Sequence, residues 1–122
     1  MKRDLDLCLE ILRHIETGNG EQCMALKTAE AIGKDASEVS YNCFLLLDAG
    51  LLAGKDFSTL AAKDVMISRL TWQGHEFLDA ARDQTHWEKA KDVAHKSSGG
   101  FEIVRSVLSS LAAEAAKAIT GL

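Results

Sequence analysis

At 122 residues, 47% apolar and without proline, the chain is long enough for one compact domain that needs no disulfide or metal staple. Charged residues make up 26% with the signs interspersed, which excludes a disordered polar tract. The net charge is −4, and acids outnumber bases in residues 1–70 and again in 71–122. That excludes a broadly basic protein, so any surface for a polyanion has to be a local patch.

The opening Met1-Lys2-Arg3 is followed by Asp4 and Asp6 rather than an apolar stretch, so it does not read as a signal peptide. The longest apolar run, near Phe44 to Leu52, is interrupted by Asp48 and too short for a bilayer. Cys8, Cys23 and Cys43 are an odd, unclustered set. They read as reduced thiols in a cytoplasmic protein.

In chain order, Leu5, Cys8, Leu9, Leu12 and Ile15 recur at helical steps and predict an amphipathic helix from Asp4 to Thr17. Asp4 and Asp6 suit its positive end, and Gly18-Asn19-Gly20 ends it. A short strand is expected within residues 21–26. The stretch from Thr28 to Leu52 then reads as a helix, a tight turn and a second helix. A small residue at the crossing (Ala29), a turn residue tolerant of positive φ (Gly33) and an apolar clasp (Val39) meet the needs of a helix-turn-helix. Asp35 with Glu38 three residues on is a capping-box pattern.

After Gly50 the period changes. Residues 51–55 and 64–70 read as paired strands, a wing, joined by a loop carrying Phe57 and Leu60. Thr71 is placed to cap the next helix, and Gly74 removes a side chain where that helix meets a neighbour. Nothing obvious breaks this helix before Ser97-Ser98-Gly99-Gly100, so it is expected to reach about Lys96. Phe101, Val104, Leu108, Leu111 and Ala115 then follow a heptad. The expected organisation is a domain over 1–96, followed by a linker and heptad helix over 97–122. The fold class is mainly α with a β-hairpin wing.

This order of elements resembles the winged-helix superfamily, which includes many bacterial and phage repressors. The runs Leu45-Leu46-Leu47-Asp48-Ala49-Gly50-Leu51-Leu52 and Leu70-Thr71-x-x-Gly74 carry the likeness. More narrowly, Met1-Lys2-Arg3-Asp4, Val39-Ser40-Tyr41-Asn42 and the block from Arg69 to Arg82 are similar to a family of small, functionally uncharacterised bacterial and prophage proteins. Relatives often place a histidine where this chain has Asn42.

Two functional expectations stand side by side. A winged helix implies a transcriptional regulator holding double-stranded DNA, with Ser37, Ser40, Tyr41 and Asn42 at the groove and Lys34, Lys55 and Lys63 on phosphates. Against it, residues 35–54 contain Asp35, Glu38 and Asp48 but no Lys or Arg. The alternative is a protein-interaction module using Phe57, Leu60 and the outer face of the second motif helix. The bland reading of Phe57 and Leu60 is that they fold back as core.

The heptad residues Phe101, Val104, Leu108, Leu111 and Ala115 suggest a homodimer seam, unless the last helix lies on its own subunit. Trp72 and Trp87 are expected as packing anchors, Trp72 against the wing. The four histidines lack ligand spacing, and no phosphate loop or catalytic grouping stands out, so no metal, cofactor or enzymatic activity is expected.

Overall fold

The computed structural model describes residues 3–18, 22–61, 64–96 and 103–111. The chain divides into two compact units, Met1–His75 and Glu76–Leu122. The described residues are mainly helical, with one small three-stranded antiparallel sheet.

In the first unit, α1 runs over Leu5–Thr17. Asp4 caps it by accepting from the Leu7 amide at 3.0 Å, and the Gly18 amide closes the far end on the Ile15 carbonyl at 3.2 Å. The short strand expected within residues 21–26 forms as β1, Cys23–Met24, and ends there because Ala25 already starts α2 (Ala25–Ile32). Gly33 ends α2 with φ 69°, and α3 (Ala36–Asp48) follows with the Asp35 carboxylate accepting from the Glu38 amide at 3.0 Å. Ala29 and Val39 are both buried as the crossing requires, and α2 packs on α3.

The C-terminus of α3 closes on Gly50, whose φ is 77°, with Leu51 N–H donating to the Leu46 carbonyl at 3.0 Å. The hairpin then forms from β2 (Leu52–Asp56) and β3 (Val65–Leu70). Strand order is β1-β3-β2, so β1 completes the sheet on the other edge of β3. Val65, Ile67 and Leu70 are buried, the register shift opposite Ala53 and Gly54 breaking strict alternation before Leu70, and they join Leu12, Val39, Cys43, Leu46 and Leu51 in the core.

The start of α4 (Trp72–Ala81) is clamped to the turn after α3. Thr71 Oγ1 donates to the Gly50 carbonyl at 2.6 Å and accepts from the Gly74 amide at 3.0 Å. Thr71 N–H donates to the Leu51 carbonyl at 3.1 Å. A Cβ on Gly74 would collide with that same Leu51 carbonyl oxygen. Trp72 departs from expectation: it is 74% exposed and is not a buried packing anchor.

The second unit corrects the expected long helix over 71–96. It breaks into α4 and α5 (Gln84–Lys96) although neither glycine nor proline intervenes. Asp83 is the cause. Its carboxylate accepts from the His86 amide at 3.1 Å and its carbonyl from the Trp87 amide at 3.0 Å, so it starts a new helix. The break lets Phe77 and Trp87 meet edge to face, with centroids 6.0 Å apart. Trp87 is buried as expected, with Lys91 Nζ 5.8 Å over its ring. Residues 103–111 form a further helix, α6.

Two glycines separate steric from conformational cost. Gly74→Ala should lower unfolding free energy by about 2–3 kcal/mol through overpacking. Gly33→Ala, with open space around the added carbon, should lose only about 1 kcal/mol, from the left-handed backbone. Urea midpoints at constant slope measure both; a harmless Gly74→Ala contradicts the clamp.

Candidate nucleic-acid or protein interface

The candidate surface is the outward face of α3, the turn before it and the loop of the hairpin. Ser37 and Glu38 in the first turn of α3 are exposed, Tyr41 and Leu45 are half-buried on the same side, and Asp48 is exposed at the end. Lys34 in the turn, Lys27 on α2 and Lys55 on β2 are exposed around it. Lys63 lies outside the described residues.

Two of the expected groove-reading residues are interior, which corrects the sequence reading. Asn42 is 0% exposed and Ser40 is 2% exposed, so neither side chain reaches a partner. Asn42 points at α1. Its Oδ1 accepts from the Asp4 amide at 2.9 Å and from the Cys8 thiol at 3.4 Å, while Nδ2 donates to the Glu38 carbonyl at 2.9 Å. A buried amide that satisfies both ends in this way is a structural joint. The Ser40 hydroxyl is buried without a hydrogen-bond partner among the described residues.

The hairpin loop is braced at its base by Asp64. Its Oδ1 accepts from Val65 N–H at 2.8 Å and from Leu26 N–H at 3.4 Å, and its carbonyl accepts from Phe57 N–H at 3.0 Å. Ser58 N–H donates to the Asp56 carboxylate at 2.8 Å, and Ala61 N–H to Thr59 Oγ1 at 3.2 Å. This bracing presents Phe57, 50% exposed, and Leu60, 111% exposed, to solvent instead of folding them back as core. The sequence reading missed Asp64, whose one available signal was an aspartate immediately before an alternating strand.

The expected dimer seam is also corrected in part. Val104 and Leu108 are buried within the single chain and Leu111 is half-buried, so these positions do not offer a continuous free stripe. Phe101 and Ala115 lie outside the described residues. Among the described residues no group of three His, Cys, Asp or Glu side chains could hold a metal ion, and no helix is long and apolar enough to cross a membrane.

Burial pushes the thiol pKa of both Cys8 and Cys43 up to about 12, with Cys43 and Asp4 adding to the effect on Cys8 and Cys23 and Asp64 adding to that on Cys43. Neutral, buried thiols of this kind are poor nucleophiles, whereas Cys23 is half-exposed.

The fold and site define a small, mainly helical protein with a three-stranded antiparallel sheet and a braced, exposed hairpin loop. The chain belongs to the family described as "Hypothetical protein (DUF2513)", whose profile matches residues 2–102. It is 40% identical over 91 residues to an uncharacterised protein of Haemophilus influenzae (strain Rd), spanning 75% of this chain and 76% of that one. No solved structure matches it significantly.

In the native protein at pH 8, a thiol-specific probe should label Cys23 quickly and Cys8 and Cys43 only at the rate of unfolding. The sign for stability follows from the raised values. The thiol contribution is intact below the unfolded pKa near 9.0 and is lost as pH rises from there towards about 12. Urea midpoints should therefore fall between pH 9 and 11, and Cys43→Ala should flatten that fall; rapid labelling of all three thiols contradicts the burial.

Proposed function

We propose that this chain is a winged-helix-type interaction module that holds a protein partner between the outer face of α3 and the tip of the hairpin loop. The order α1-β1-α2-α3-β2-β3, with a left-handed glycine between α2 and α3, supports the winged-helix reading. The observation that carries the choice of partner is the exposure of Phe57 and Leu60 on a braced loop. Large apolar side chains held out in water suit the desolvated centre of a protein interface. The neighbouring face of α3 offers Glu38 and Asp48 and no base, which a phosphate backbone would repel. Three free cysteines suit a reducing, cytoplasmic setting.

A second reading, a regulator of the phage or bacterial type bound to duplex DNA, is favoured by the exposed Lys27, Lys34 and Lys55 around α3. In that arrangement Ser37 and Tyr41 are the residues left to reach bases.

Salt dependence separates the two. Fluorescence anisotropy with random duplex DNA at micromolar protein and low salt should show no saturable binding. Cross-linking in cells should capture a defined protein whose recovery survives 0.5 M salt (on the order of a few Å of screening length) and falls at least tenfold with Phe57→Ser and Leu60→Ser together. Duplex binding that weakens steeply with salt, with a slope flattened by Lys34→Glu and Lys55→Glu, would overturn the protein reading in favour of the regulator.

A further inference from the structure

We propose that the outer face of the three-stranded sheet docks an acidic amphipathic helix of a partner protein. The inference rests on the reading of this chain as a protein-interaction module and gives that module a second face. The strand register defines the face. Val65 and Ile67 are buried on the core side of β3, so Met66 between them points the other way. Met24 on β1 and Lys55 on β2 are both paired with Met66, and the three make one row across the sheet. Beyond the register shift, Leu52 and Leu70 pair on the core side, which leaves the neighbouring pair, Ala53 and Arg69, on the outer side.

The middle of this face is apolar. Met24 and Met66 are half-buried. Two larger exposures adjoin them at the loop end of the sheet. Leu26, 39% exposed, donates its amide to Asp64 Oδ1 at 3.4 Å, and Phe57, 50% exposed, donates its own to the Asp64 carbonyl at 3.0 Å. The two therefore flank one residue, Leu26 from the β1 side and Phe57 from the β2 side. Three strands spaced about 4.8 Å apart span ~10 Å, the width of one helix. Methionine is unbranched and polarizable, so it adapts to the side chains of a helix laid across it.

Charge selects the sign of the partner. The outer rows carry the exposed bases Lys55 and Arg69, and Lys27 is exposed next to Leu26. The nearby acids are engaged elsewhere. Asp56 pairs with buried Val65 and accepts from the Ser58 amide at 2.8 Å, while the Asp64 carboxylate accepts from the Leu26 and Val65 amides. A helix with an apolar stripe flanked by Asp or Glu meets methionines at its centre and bases at its edges. The same face on a second copy would set Lys55 and Arg69 against like charges. A phosphate backbone would find apolar side chains where it needs donors.

Amide NMR on the full chain, titrated with a synthetic peptide of about two heptads, tests the assignment. The peptide carries Leu at the a and d positions with Ala and Glu elsewhere. It should give saturable shifts concentrated at residues 24–27, 53–57 and 66–69. Replacing its Glu by Lys should weaken binding at least about tenfold, and Lys55→Glu with Arg69→Glu should invert that preference. Lys89→Glu, the same charge change on the exposed side of α5, should leave the affinity unaltered. Met66→Gln should weaken the acidic peptide severalfold, which keeps the test decisive if the double charge reversal disturbs the fold. Equal affinity for the two peptides, or shifts that never saturate, would overturn the proposal. So would equally tight binding to phosphatidylserine vesicles at the same residues, or the same shifts on raising the protein concentration alone. Any of these would leave the recovery of a partner through Phe57 and Leu60 standing, so the two readings fall separately.

Discussion

The buried amide of Asn42 is the constraint on which the geometry of the candidate surface depends. It sits on α3, reaches the backbone at the start of α1 and the thiol of Cys8, and returns a hydrogen bond to its own helix. Leaving such a group unsatisfied in the interior costs about 1–3 kcal/mol. Rotation of α3 about its axis is therefore restricted to the setting that keeps Asn42 inside. That same setting leaves Ser37 and Glu38 exposed and Tyr41 half-buried. Which residues a partner meets is thus decided by a residue no partner touches.

The rest of the first unit holds this setting in place at both ends of α3. At the front, Gly33 in the left-handed region turns the chain and Asp35 caps the helix. At the back, the Thr71 hydroxyl and the bare Cα of Gly74 dock α4 on the turn through Gly50 and Leu51. Asp64 ties the hairpin to the start of α2. The apolar side chains that remain outside, Phe57 and Leu60, are consequently displayed by a supported loop. A rigid frame lowers the ordering cost of binding, which is what an interface made of few residues needs.

Most of the local punctuation was legible in the sequence because it acts over one turn of chain. Asp4, Gly18, Gly33 and Asp35 do what their residue types are suited to do within three or four neighbours, and Thr71 caps the start of α4 in the same local way. The misreadings have a common origin in long-range packing. Periodicity assigns a polar residue such as Asn42 or Ser40 to the edge of a helix, and the partner that draws Asn42 inward lies 38 residues away. Asp83 breaks α4 from α5 with a capping bond that competes with helix continuation, and the break goes with the burial of Trp87 against Phe77.

Amide hydrogen exchange at Asp4 tests the central claim most directly. This donor lies before the first helical turn, where fraying would ordinarily leave it unprotected. The account predicts slow exchange in the native protein and fast exchange in Asn42→Ala, with amides in the middle of α5 unchanged. Equal exchange at Asp4 in the two proteins would mean that the Asn42 side chain does not fix α3 against α1, and the assignment of inner and outer faces would lose its physical basis.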